Sequence, residues 1–301
     1  MQRMTVRQVL AFIDDNLEKE ARIDVATLAR YSGYSMRHIQ RLFRDVTGMK
    51  VGEYIRRRRL TRAVLLLRLT LRPLTDIAFS LGFDSQQSFN REFKKLTGYA
   101  PLQYRRLPFW PFASLKKVIT CAPPNIIESG MAHLKGGHIC GQKVIAHGCI
   151  PEPSFRNEEG SFTELIFRAL QEIKQPLWGM AEATPERHGQ YDFRVNGCLG
   201  YPDGKTGEWF SYPAGLYFRI VFITAPETHR ENIHRIYQSL LPAHDINRAT
   251  GPEISVFQRD KEKIICHLFI PVIDSTAAEL ISQRITTRQN RKSRRDESCE
   301  T

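Results

Sequence analysis

Two stretches of the chain, about fifty residues apart, carry the same alternation of apolar and polar positions. Between Gly33 and Gly48, Ile39, Leu42, Phe43 and Val46 fall at i, i+3, i+4 and i+7, the spacing of one buried stripe on a short helix. Ser35 stands at the N-cap position and Gly48 at the C-cap position. Upstream, Asp24 to Ser32 reads as a second short helix, with Gly33 at the turn between them. That order predicts a helix-turn-helix whose second helix is the exposed, reading one.

The pattern recurs. Ile39, Arg41, Phe43, Thr47, Gly48 and Tyr54 return as Phe89, Arg91, Phe93, Thr97, Gly98 and Tyr104. With one residue of slip, Leu28-Ala29 and Gly33-Tyr34 return as Ile77-Ala78 and Gly82-Phe83. Asp84-Ser85 caps the second copy, and Phe89, Phe93 and Leu96 are its inward residues. Two copies of one supersecondary unit are predicted, preceded by an amphipathic helix over Thr5–Asn16 with Val6, Val9, Leu10, Ile13 and Leu17 inward. Between the copies, Val51 to about Leu69 reads as one continuous helix with Leu60, Val64, Leu67 and Leu71 on its apolar side. At about 1.5 Å per residue it spans roughly 27 Å. With the offset of each unit, this sets the two exposed helices about one DNA turn apart, ~34 Å.

Beyond Leu107 the periodicity breaks at Pro108, Pro111 and Pro123-Pro124, and residues 107–130 read as a connector. Its aromatic residues Phe109, Trp110 and Phe112 are expected to pack on a domain surface. From about residue 139, strand and helix patterns take turns. Strands are predicted over 143–150, near Trp178, over 191–200, over 208–224 with a bend at Pro213-Ala214-Gly215, and over 253–258 and 263–272. Helices are predicted over 162–173 and 226–241. The fold class is therefore two domains: an all-α tandem helix-turn-helix unit (1–106), then an α+β domain (131–273) of two β-α-β-β halves on an antiparallel sheet. A cleft between such halves is a natural ligand site. The tail, 274–301, mixes an Ala-Leu-Ile segment with a cluster of arginines and is expected to be disordered.

Charge separates the two domains further. Residues 1–106 hold 21 Lys and Arg against 10 Asp and Glu; residues 107–273 hold 17 of each. The first domain is thus the expected polyanion binder. Its two repeats expose Arg37, Gln40, Arg41 and Arg44 in one copy, and Gln86, Gln87, Asn90, Arg91 and Lys94 in the other. Arg reads guanine and Gln reads adenine by bidentate bonds in the major groove. From the first copy alone, a solvated basic helix face explains the pattern equally well; the repetition favours a shared ligand.

Other chemistries lack a pattern. Six cysteines are scattered without a Cys-x-x-Cys pair and are expected to be reduced and mostly buried. His138-x-Cys140, with His133 and His147 nearby, matches no standard zinc spacing, so no metal is expected. No nucleophile elbow, P-loop or dinucleotide fingerprint is present, so neither an enzyme nor a cofactor is expected. No run of 18 apolar residues and no signal-peptide core occurs, so a cytoplasmic location without membrane contact is expected.

Residues 5–106 resemble the DNA-binding domain of the AraC/XylS transcription regulators, in the branch of antibiotic-resistance and superoxide-response activators. The carrying residues are Gly33-Tyr34-Ser35, His38 to Phe43, Thr47-Gly48, Tyr54-Ile55-Arg56, Asp76-Ile77-Ala78, Phe83 to Phe89, Phe93-Lys94 and Pro101-x-x-Tyr104-Arg105. The resemblance implies base reading by Gln40 and Arg41, and by Gln86, Gln87, Ser88, Asn90 and Arg91. It also implies an activator that meets RNA polymerase on promoter DNA, and Arg37 stands where the branch usually has Trp. One monomer is expected to serve both grooves. The second domain resembles the GyrI-like effector-binding domain at Pro213-Ala214-Gly215-x-Tyr217, Leu241-Pro242, Gly251-Pro252-Glu253-Ile254 and Ile270-Pro271. That resemblance places Tyr217, Phe257 and His267 on a groove for a small amphiphilic ligand. His267 and Ser255 replace acids common in that family, and Phe257 replaces a Tyr. Two rival functions follow from the same residues: an architectural DNA-binding protein with little promoter choice, and a DNA-anchored hydrolase.

Overall fold

In the computed structural model, the residues described are 2–18, 23–115, 125–148, 150, 162–172, 175–186, 192–244 and 246–281. The first repeat comprises α1 (Gln2–Glu18), α2 (Val25–Ser32) and α3 (Met36–Thr47). A long helix α4 (Val51–Leu69) leads to α5 (Leu74–Ser80), α6 (Gln86–Thr97) and α7 (Pro101–Arg106). The caps explain where the reading helices begin and end. Ser35 Oγ accepts from His38 N at 3.2 Å, and Ser85 Oγ accepts from Ser88 N at 3.1 Å. Gly48 and Gly98 close α3 and α6 at φ of 70° and 81°, a left-handed geometry that favours glycine. Thr47 and Thr97 repeat one bond each, from Oγ1 to the carbonyls of Phe43 and Phe93. Tyr54 and Tyr104 meet those same phenylalanines edge-on, at 5.4 and 5.3 Å between ring centroids.

The second domain is built from β1 (Phe109–Pro111), β2 (Ile126–Leu134), β3 (Gly137–Gly148), α8 (Phe162–Glu172), β4 (Leu177–Pro185), β5 (Phe193–Tyr201) and β6 (Glu208–Tyr212). Then follow β7 (Gly215–Thr224), α9 (Pro226–Arg235), a π-helical turn (Ile236–Leu240), β8 (Asn247–Ala249), β9 (Glu253–Asp260) and β10 (Lys263–Ile273). All strand pairs are antiparallel, in the order β2-β7-β10-β9-β4-β5-β3-β6, with β1 and β8 added along the end of β10. The halves β3-α8-β4-β5 and β7-α9-β9-β10 meet where β4 pairs with β9.

Several expectations need correcting. The connector is part of the sheet: Phe109–Pro111 pairs with β8 and Ile126–Leu134 pairs with β7. Proline breaks the periodicity but not an edge strand. The strand near Trp178 runs nine residues. The tail opens as a helical turn over 275–281, with Ala278 buried against Leu107 and Phe109; its arginine cluster lies outside the described residues. Val46 and Leu71 are exposed, at 40% and 45%.

The core does not divide as the sequence does. Val6, Ile13, Leu28, Ile39, Phe43 and Tyr54 form one apolar cluster belonging to the first repeat. The second repeat instead shares a cluster with the sheet domain: Leu66, Ile77, Phe89 and Phe93 run on into Trp110, Phe112, Phe222 and Leu268. This is why the second half of α4 is buried nearly all round, Leu65 and Ala63 included.

Candidate nucleic-acid interface and sheet-face groove

Capping by Ser35 and Ser85 aims the first turns of α3 and α6 outward, and the apolar stripes fix which side faces out. Arg37, Gln40, Arg41 and Arg44 are all exposed, as are Gln87, Arg91 and Lys94. Gln86, Ser88 and Asn90 are half-buried. The Ser88 hydroxyl donates to the Ser85 carbonyl at 2.8 Å, and Asn90 Oδ1 is buried without a partner. Ser88 and Asn90 are thus less open to solvent than Gln87 and Arg91, because they sit at the flank of the inward stripe of Phe89 and Phe93.

The four first-repeat residues do not stand alone. With Lys50 just before α4, Arg56 and Arg57 within it and Lys95 of α6, they line one open concavity of about 1490 Å³ between the repeats. Its acids are largely engaged: Glu53 pairs with Arg57 at 2.6 Å, and Glu92 lies 3.7 Å from both Arg56 and Arg91. A concavity this basic suits the phosphates between two major grooves. Of these extra residues, Arg56 and Arg57 belong to a run of four arginines, Arg56–Arg59, whose phase on α4 only the fold reveals.

In the second domain the register separates the three proposed groove residues. Tyr217 pairs with Pro271, and His267 with Val221, so both share one sheet face, about 13 Å apart along β10. Phe257 pairs with Cys266, one position out of phase with His267, and points to the opposite, helix-covered face. There its ring lies 5.4 Å from that of His229. Phe257 thus belongs to the core; alternation predicts a face but not which phase it takes. His229 is itself packed among rings and bonded to Thr224 Oγ1 at 3.0 Å, and burial pushes its pKa down to about 4. The Tyr217 hydroxyl donates to the Pro213 carbonyl at 2.9 Å.

What sequence reasoning missed is Arg219, between Tyr217 and His267 on the same face. Its Nη2 approaches His267 Nδ1 at 3.2 Å, and its Nη1 reaches Glu128 at 3.2 Å. A guanidinium cannot accept, so His267 Nδ1 accepts and the ring proton sits on Nε2. Burial, then the neighbouring Arg219, lowers the His267 pKa against an opposing pull from Glu128. Along the same face, Trp178 stacks on Tyr212 at 6.2 Å. His138 bonds Ser211 and His147 bonds Glu186, so these histidines are engaged within the sheet. Among the described residues no three His, Cys, Asp or Glu side chains converge as a metal set, and no helix is long and apolar enough to cross a membrane.

A tandem helix-turn-helix unit with two exposed basic helices, carried on an antiparallel-sheet domain, defines the class of a two-domain DNA-binding regulator. A helix-turn-helix domain model matches residues 28–107. The F1 operon positive regulatory protein of Yersinia pestis is 30% identical, over 90% of this chain and 89% of its own. The transcriptional regulator Rob of Salmonella typhimurium is 45% identical, over 89% of this chain and 97% of its own. The regulatory protein SoxS of Escherichia coli is 44% identical over 33% of this chain but 92% of its own, so its length is nearly that of the helical domain alone. The chain belongs to the AraC/XylS family of DNA-binding transcription regulators.

Proposed function

We propose that one monomer places α3 and α6 in successive major grooves of promoter DNA and acts there as an activator in contact with RNA polymerase. The observation that carries the DNA part is the repeat itself: two identically capped helices, each exposing guanidinium and amide groups, flank one basic concavity. Activation and polymerase contact rest on family membership. A selected operator fragment footprinted with the full chain is expected to show two protected major-groove segments about 10 bp apart at one monomer per site. Protection of a single segment, or a dimer on each site, overturns this reading. An architectural binder would show little difference between site and non-site DNA at fixed salt.

The second domain, in this reading, senses a small amphiphile on the sheet face that carries Tyr217, Arg219 and His267. Arg219 supplies a fixed cation, His267 a neutral Nε2–H donor, and Trp178 and Tyr212 an aromatic wall. That chemistry favours a carboxylate over a cation. In calorimetric titrations of the full chain, a long-chain carboxylate is expected to bind at least several-fold more tightly than a quaternary ammonium of equal length. Arg219→Met is expected to remove that preference, and tighter binding of the cation would refute it.

A further inference from the structure

The two reading helices are held by different means. α6 belongs to a repeat whose apolar core is continuous with the sheet domain. Arg72, just before α5, adds a two-pronged ion pair to Asp192, with Nη2 at 2.7 Å and Nε at 2.8 Å, and also donates to the Ile150 carbonyl. α3 belongs to the separate cluster of the first repeat. That cluster is joined to the rest by α4 and by polar bridges from the arginine run.

The most buried of these bridges spans three elements. Arg58 of α4 is 4% exposed. Its Nε donates to Asp14 of α1 at 2.8 Å. Its two terminal nitrogens donate to Gln238 in the π-helical turn of the sheet domain, one to the carbonyl at 2.8 Å and one to Oε1 at 2.9 Å. Gln238 is held in turn by His234, with Nε2 to Nε2 at 2.8 Å. Arg62, one turn on, donates to the Leu17 carbonyl at the end of α1. The Arg58 guanidinium thus meets both α1, which packs against α3, and the second domain.

We infer that Gln238 is a positioning residue for DNA reading: through Arg58 and Asp14, the second domain sets the placement of α3, and not of α6, on the duplex. A buried arginine with one acceptor removed keeps its desolvation cost and relaxes toward other partners. The element free to follow is the first repeat, because its apolar core is its own. A π-helical turn in this place fits the tendency of such turns to mark functional positions. The inference rests on the reading in which α3 and α6 each take one groove.

The test uses the full chain on three DNA fragments: the intact site, one with the α3 segment scrambled, and one with the α6 segment scrambled. Wild-type protein is expected to lose affinity on both scrambled fragments; if scrambling one segment costs nothing, the two-groove reading fails, independently of Gln238. Gln238→Leu is expected to bind the intact site and the α6-scrambled site roughly five- to tenfold more weakly than wild type. It is expected to match wild type on the α3-scrambled site, where the α3 contribution is already gone. Gln238→Glu keeps an acceptor toward Arg58 and is expected to restore wild-type binding on all three. Equal loss on all fragments, no loss on any, or failure of Gln238→Glu to restore binding overturns the inference. Should Gln238→Leu prove unfolded by thermal scan, Asp14→Leu, which offers Arg58 Nε no acceptor, breaks the other end of the bridge and is held to the same pattern.

Discussion

Trp110→Ala is expected to cost about 3–5 kcal/mol of stability, the range for truncating a large buried aromatic residue. Trp110, on β1 of the sheet domain, is 6% exposed and lies in the apolar core that the second repeat and the sheet share. Arg68 of α4 lies over its ring at 5.2 Å and Arg248 of β8 at 5.0 Å, so the indole sits against a guanidinium from each domain. Phe112 stacks on it at 5.9 Å, and Tyr237 of the π-helical turn packs at the same distance. Alanine would leave a cavity and leave two cations without the ring face that attracts them. Arg68 would still hold the carbonyls of Tyr104, Arg105 and Leu107, but burial already lowers its pKa to about 10. The loss falls on the shared core, so urea unfolding of the variant is expected to change from one transition to two. Trp110→Phe, which keeps most of the volume, is expected to lose under half as much. A single transition with a loss below about 1 kcal/mol would show that the domains are joined elsewhere.

This coupling marks the limit of what the sequence discloses. The helical repeats were legible because three local signals agree in each: a 3.6-residue apolar stripe, a serine N-cap and a glycine C-cap. The repetition then made chance an unlikely source. Where a single signal stood alone, it misled. Val46 fits the buried stripe of Ile39, Leu42 and Phe43 by spacing yet is itself exposed, and Phe257 shared a strand pattern whose phase depends on its partner in β10. Pro111 hid β1, since an edge strand tolerates a residue that cannot donate. Arg219 and the Arg58–Gln238 bridge left no local trace. Arg58 and Gln238 are 180 positions apart, and only the packing of the second domain on α4 brings them together.

Arg41→Ala and Arg91→Ala are each expected to weaken binding to the intact site by about 1–3 kcal/mol, and to relax base preference in one segment only. Both arginines are exposed at equivalent positions of their repeats, two residues past the buried Ile39 and Phe89. Their surroundings differ. Arg91 lies 3.7 Å from Glu92, whereas among the described residues Arg41 approaches His38 Nδ1, at 3.5 Å. Arg91 must therefore leave an acid to reach a base, which sets its expected loss toward the lower end of the range and that of Arg41 toward the upper. A second discriminator is salt. An arginine that reads a base edge leaves the slope of log K against log salt nearly unchanged when removed, while one that neutralises a phosphate lowers it by about one unit. Arg56 and Lys95, in the concavity between the repeats, serve as the phosphate-type controls. Affinities measured from 50 to 200 mM salt on sites randomised one segment at a time separate the outcomes. If Arg41→Ala and Arg91→Ala weaken every sequence alike and lower the slope as Arg56→Ala does, both are phosphate contacts. In that case α3 and α6 do not read bases through these side chains.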